Sequence, residues 1–276
     1  MTNPLLQAYR KPNMYVTLPS GGKFYRNPPK LSVDGDLAIY PMTARDELLL
    51  KNPDALFNGE ATYTIITSCC PDIPDAYEVP SCDVNVIMIA IRQASYGDDI
   101  DMDVKCPNCN HINQVKLSSS RLLSQIKPTS HKQEIELDNG FIVKLKPYNI
   151  KDRTYLVIEQ IKQQKMLESL MDESVSEDER NEMFSKTFIS IADLTVKIIK
   201  NVIVSVKIPD GEQIEDSDTI GEWLNSINKA DYDAIKEHVE LISDSGITNE
   251  YDVNCQECNH AWKTSVELDN ANFFGG

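Results

Sequence analysis

The sequence predicts an α+β fold built from three parts, one of which is not continuous along the chain. Strand and helix signals alternate over residues 1–103, which we interpret as an N-terminal α/β segment. One cysteine motif occurs twice on hairpin-like sequences, within residues 104–117 and again within 251–276. Helical periodicity dominates residues 118–250, between the two copies. This order predicts a hairpin and mainly helical segment inserted between two halves of one cysteine module.

The N-terminal segment begins with short strands that end at prolines. The predicted elements are strands at 14–18 and 37–40 and helices at 44–52, 59–70 and 82–96. Thr43 is placed to cap the first helix, and Ser81 or Asp83 the last, which Gly97 would stop. Apolar residues recur at helical spacing in that last helix and predict its core-facing side: Val84, Ile87, Met88 and Ile91.

The inserted segment opens with a hairpin signal. Two β-rich runs at 133–137 and 141–145 flank Asp138-Asn-Gly140, and Asn-Gly tolerates the positive φ of a tight turn. Predicted helices follow at 151–172, 177–203, 219–227 and 230–242, with a strand at 204–208. Ser176 and Glu179 form a capping box, so we expect the first two helices to pack as an antiparallel pair. The predicted contacts are Met166, Leu167, Leu170, Met183, Phe184 and Phe188.

Each copy of the cysteine motif is a β-rich run, a C-x-x-C corner, Asn-His and a second β-rich run. The corners hold Cys106 with Cys109, and Cys255 with Cys258. One such corner directs two thiolates at one point, and tetrahedral Zn²⁺ takes four ligands. The repeat therefore predicts one structural zinc per chain in a zinc-ribbon-like module, and a site with four protein ligands leaves no position open for catalysis.

Other interpretations of the corners remain open. They could be disulfides, although neither has the strand-to-helix context of redox C-x-x-C motifs, or two unrelated reduced corners. His111 and His260 could replace cysteines as ligands, but each follows a corner that already offers two sulfurs. Cys69, Cys70 and Cys82 lie in apolar surroundings, and we interpret them as buried small hydrophobic residues.

Charge and motifs limit the function. The formal net charge is −16, without a compensating basic cluster, which argues against nucleic-acid partners because those need phosphate contacts. No run approaches the roughly 18 apolar residues of a membrane span, and residues 1–7 lack a secretory pattern. There is no phosphate-binding glycine loop, and the four histidines fit no catalytic motif. We expect a protein that is not an enzyme and that contacts neither nucleic acid nor membrane.

Five short motifs of the N-terminal half run in order into the first corner: LPSGGKFY at 18–25, IYPMTARDE at 39–47, NPDAL at 52–56, PSCD at 80–83 and IRQASYG at 91–97. This order resembles the baseplate protein family of T-even-type contractile-tailed phages, which includes baseplate hub subunits and hub assembly proteins. The second corner and the closing Phe273-Phe274 resemble the end of those proteins.

The resemblance implies a non-enzymatic phage tail protein that contacts other tail or baseplate proteins. It would be made in the host cytoplasm during assembly, either as a virion component or as an assembly factor absent from the finished particle. The alternative from the residues alone is a zinc-ribbon adaptor or regulatory protein unrelated to virions.

Overall fold

The computed structural model describes residues 10–50, 60–129, 133–170, 185, 194, 196–209, 211–247 and 250–265. The chain divides into two compact units. The first combines Met1–Ser130 with Asp244–Gly276, and the second is His131–Ser243. Both units contain helices and strands, so the mixed α/β character predicted from the sequence is confirmed. None of the described helices has the length and apolar character needed to cross a bilayer.

The N-terminal part of the first unit packs a two-stranded sheet against helices. Its elements are β1 (Met14–Thr17), β2 (Asp36–Ile39), α1 (Ala44–Leu50), α2 (Glu60–Cys69), a 3₁₀ turn (Ala76–Glu78) and α3 (Ser81–Tyr96). The strands are antiparallel, with Met14 opposite Ile39. The predicted cap of α1 is confirmed: the Asp46 N–H donates to Thr43 Oγ1, and the Thr43 N–H donates to the Asp46 carboxylate.

Helix α3 is the centre of this unit. Of the predicted core positions, Ile87, Met88 and Ile91 are buried but Val84 is only half-buried, whereas Val86 and Ile89 on other sides are buried. The predicted core-facing side was therefore too narrow, because neighbouring elements bury this helix on several sides. Gly97 ends it as expected, with φ +88° and its N–H donating to Gln93 O.

The start of α3 differs from the prediction. Its N-cap is Pro80, which has no side-chain cap bond, so neither Ser81 nor Asp83 serves as the cap. Asp83 is instead fully buried and accepts hydrogen bonds from Ser20 and Tyr25 of the loop that follows β1. The helix start was predicted correctly, but the carboxylate belongs to a tertiary contact.

Two β-ribbons complete the first unit. The first pairs β3 (Asp99–Lys105) with β4 (Ile112–Ser118), and the second pairs β9 (Glu250–Asn254) with β10 (Ala261–Ser265). The acidic run at 98–103 forms much of β3, with Asp99, Asp101 and Asp103 exposed, as expected for a solvated face. A short helix α4 (Ser119–Leu123) follows directly, where the sequence indicated a linker. Ser118 caps it by accepting from the Arg121 N–H.

The second unit packs helices on an antiparallel sheet. Its elements are β5 (Glu134–Glu136), β6 (Ile142–Leu145), α5 (Ile150–Leu170), helical residues 196–202, β7 (Ile203–Lys207), β8 (Gln213–Ile214), α6 (Ser217–Leu224) and α7 (Lys229–Ser243). The sheet order is β5-β6-β7-β8. The predicted Asn-Gly turn closes the first hairpin, with Gly140 at φ +80°. Its core joins Val143 and Leu145 of the sheet to Ile235 and Val239 of α7.

The predicted capping box at Ser176 and the helix pairing around Met183, Phe184 and Phe188 lie outside the described residues, as does Phe273-Phe274. The domain boundaries drawn from the sequence, at residues 103, 117 and 250, remain a prediction.

Candidate metal centre

The two cysteine corners have the same backbone. In the first, the Cys106 N–H donates to His111 O, and the Asn110 N–H donates to Cys106 O. The second repeats both bonds with Cys255, His260 and Asn259. Asn110 has φ +62° and Asn259 φ +56°. Asparagine enters this left-handed region more readily than most residues, which explains why the same residue follows the second cysteine in both copies.

The ribbons bring the four predicted cysteines together, although residues 110–254 separate the corners in sequence. The four Sγ atoms all lie within 4.8 Å of one another. Two pairs cross between the corners at hydrogen-bond distance, 3.7 Å for Cys106 and Cys258 and 3.5 Å for Cys109 and Cys255. All four are free thiols. This cluster could hold a metal ion, and no histidine or carboxylate of the described residues joins it.

The thiols of the cluster differ in how readily they ionise. Burial opposes ionisation of Cys255, but the Cys258 and Glu257 N–H groups donate to its sulfur, and its pKa falls to about 6. The pKa of Cys258 is lowered, first by a hydrogen bond from the Asn108 side chain. For Cys109 the His111 backbone lowers the pKa, but burial and the three neighbouring sulfurs raise it to about 12. Four adjacent thiolates repel one another, so a bound cation would favour their ionisation together.

Two asparagines connect the corners, and the sequence analysis identified neither. Asn108 Nδ2 lies 3.5 Å from Cys258 Sγ. Asn113, which is 1% exposed, accepts from the Gln256 N–H at 2.8 Å. A signal for Asn113 was available in the strand alternation, because the position faces inward with Val115 and Leu117, where an apolar residue is usual.

The histidines lie outside the sulfur cluster. His111 and His260 are exposed and close their corners through their backbone carbonyls. The His260 ring stacks on Trp262, with ring centroids 6.0 Å apart. Cys69, Cys70 and Cys82 are buried in the N-terminal part of the first unit, as predicted. Burial raises the pKa of each, to about 12 for Cys69, so these thiols stay neutral.

Comparison with known proteins identifies the class of molecule. The family model of the T4 bacteriophage base plate protein matches residues 11–275. No curated protein and no solved structure matches the chain significantly. The match covers nearly the whole sequence, including both units and all four clustered cysteines. The chain belongs to the T4-type phage baseplate protein family. Membership implies a structural role in the phage tail, contact with other tail proteins and a place in the virion baseplate.

Proposed function

We propose that this chain is a non-enzymatic component of the baseplate hub, or a factor that assembles the hub, and that it acts through protein–protein contacts. The observation that carries the proposal is the baseplate family match over residues 11–275. The hub assignment also draws on the ordered motifs between residues 18 and 97, which resemble hub subunits and hub assembly proteins. The net charge of −16 favours protein partners over nucleic acid.

The chain also carries one structural Zn²⁺, bound by Cys106, Cys109, Cys255 and Cys258. Two S···S distances, 3.5 and 3.7 Å, support this, because the edge of a tetrahedron with ~2.3 Å Zn–S bonds is ~3.8 Å. Four soft thiolate ligands favour zinc over hard cations. With all four positions filled by protein, the metal joins the two ribbons into a zinc-ribbon-like module and does not catalyse a reaction.

Mass spectrometry of purified virions and of infected-cell lysate tests the hub assignment. A hub subunit is present in both samples at a fixed ratio to other baseplate proteins, whereas an assembly factor is confined to the lysate. Cross-linking in the lysate should connect either one to hub proteins. Cross-links only to proteins outside the tail would refute both roles.

Elemental analysis of the reduced, purified protein tests the metal. We expect about one zinc per chain, and loss of that zinc in Cys258→Ser, which removes one of four ligands. Cys82→Ala, a buried cysteine outside the cluster, is the matched control and should retain the metal. Folded protein without metal would contradict the zinc assignment while leaving the hub proposal intact.

A further inference from the structure

Asn113 is the most completely bonded side chain between the two corners. Its Oδ1 accepts from the Gln256 N–H at 2.8 Å. Its Nδ2 lies 3.2 Å from His111 O and 3.4 Å from Val104 O, both in its own ribbon. The amide is thus anchored to the first ribbon by its donors and holds the second corner by its acceptor. Because Asn113 is buried, these bonds are shielded from competition with water.

The hydrogen bond that Asn113 makes to the other corner has no counterpart at the same position of the second ribbon. The position equivalent to Asn113 in the second ribbon, counted from the first cysteine of each corner, holds Trp262, which stacks on His260. Besides the contacts between thiols, a further side-chain contact between the corners also has its donor in the first, from Asn108 to Cys258 Sγ. The two corners therefore have similar backbones but contribute differently to their contact. Both asparagine side chains that bridge them come from the first ribbon and its corner.

We propose that Asn113 is a positioning residue that docks the second corner on the first ribbon, so that the four thiols are gathered before a metal binds. The expected effect on metal affinity rests on the zinc site proposed above, whereas the docking contact itself needs no metal. Without it, a metal ion alone would have to hold the two corners against each other and meet the entropic cost of ordering them. With it, part of that cost is met by the protein's own hydrogen bonds.

Amide hydrogen exchange of the reduced, metal-free protein tests the docking directly. The side chain of Gln256 is exposed, yet its N–H is bonded to Asn113, so we expect slow exchange in the wild type and fast exchange in Asn113→Ala. Asn113→Asp keeps the acceptor oxygen but replaces the donors to His111 O and Val104 O by an oxygen, so it should also exchange faster than the wild type. Gln114→Ala, an exposed neighbour on the same strand, is the matched control.

The Asn259 amide provides a control within the same protein. It bonds to Cys255 O inside the second corner, so it should stay protected in Asn113→Ala if that corner remains folded. Equal exchange of the Gln256 amide in wild type and Asn113→Ala would overturn the proposal. So would fast exchange of that amide in metal-free wild type, because the docking would then require metal.

Metal titration measures the consequence for affinity. It uses Zn²⁺ and also Co²⁺, whose absorption reports tetrahedral sulfur ligation. We expect Asn113→Ala to bind roughly 10–100-fold more weakly, as is typical when a residue that orients ligands is removed. Its Co²⁺ spectrum should stay that of a four-sulfur site, whereas Cys258→Ser should lose it. Unchanged affinity in Asn113→Ala would overturn the positioning role. Unchanged affinity in Cys258→Ser would instead overturn the proposed zinc site.

Discussion

At the scale of single residues, Asp83 is the most unusual group outside the cysteine cluster. Its carboxylate is 0% exposed and accepts from the Ser20 N–H, the Ser20 hydroxyl and the Tyr25 hydroxyl. Burial raises its pKa, although the bonds from Ser20 and Tyr25 oppose the shift. The neighbouring Tyr25 and Cys82 also have pKa values raised by burial, so neither ionises near neutral pH.

This pKa shift predicts how stability depends on pH. A carboxyl whose folded pKa exceeds its unfolded value of ~3.9 binds its proton more tightly when folded. Its contribution is therefore full below about pH 4 and is lost as the pH rises through the folded pKa. We expect the free energy of unfolding of the wild type, relative to Asp83→Asn, to decrease between about pH 4 and pH 8. Urea unfolding across that range measures it.

Asp98 is the control of opposite sign. It is exposed, and hydrogen bonds from Ser120 and its neighbours at the start of α4 lower its pKa. Its contribution is present above the unfolded value of ~3.9 and is lost only as the pH falls below it. The difference between wild type and Asp98→Asn should thus be flat from about pH 5 to pH 8. A flat difference for Asp83→Asn as well would contradict the burial argument.

At the scale of elements, two segments that are distant in sequence meet in the first unit, residues 127–129 and 245–246, and we call their contact the crossing. The Lys127 N–H donates to Gly246 O, the Thr129 N–H donates to Pro19 O, and the Ser245 hydroxyl lies 3.3 Å from Thr129 Oγ1. The first and third of these contacts connect residues 127–129 with 245–246, on either side of the second unit in sequence, and the second connects Thr129 with Pro19. They lie outside the ribbons, so the chain is joined here without the cysteines.

Gly246 is the position at which this crossing can be tested. Its φ is +118°, and a Cβ there would lie 2.8 Å from Cys82 O and 2.9 Å from Pro19 Cγ. We expect Gly246→Ala to lower the free energy of unfolding by well over ~1 kcal/mol, because the strained φ adds to a clash with backbone. Urea unfolding measures the loss.

Gly35→Ala is the matched variant. Gly35 has φ +88°, but a Cβ there would have no atom within 4 Å, so only the backbone strain applies. Alanine in this region costs roughly 1–2 kcal/mol. If both variants lose the same stability, the close approach at Gly246 does not contribute and the crossing is looser than the contacts indicate.

At the scale of the whole molecule, each unit has its own stabilising core. Among the described residues, the buried core of the second unit runs from Leu137 to Ile242 and contains no cysteine. The cysteine cluster lies within the first unit, at the corners of two ribbons of two strands each. Two-stranded ribbons are marginally stable alone, so the ribbons are the part of the fold that most needs a metal or a partner.

Chelation of the reduced protein should therefore act locally. We expect circular dichroism to retain most of the helical signal, because α3, α5 and α7 depend on apolar packing and not on the thiols. Limited proteolysis should show new cleavage within residues 99–118 and 250–265. Cys258→Ser without chelator should reproduce that pattern. A collapse of the helical signal would show that the helices depend on the metal.

Much of the local structure could be predicted from the sequence. Thr43 as a cap, Gly97 as a stop, the turn at Asn139-Gly140 and the paired corners at Cys106 and Cys255 are signals whose partners lie within a few residues. Such signals are encoded by steric preferences and short-range hydrogen bonds, so they act in any context that leaves the segment intact. The repeated motif also identified the four cysteines that the fold brings together.

Only the tertiary structure decided the contacts between residues that are distant in sequence. Asp83 has the spacing of a helix cap but bonds to a loop 63 residues away, and Asn113 looks like a strand residue but holds a backbone amide 143 residues away. Gly246 carries no local signal that distinguishes it from a flexible turn. Local sequence cannot specify such partners, because a polar side chain can be satisfied by neighbours or by water, and only the packing of the whole chain buries it against one partner.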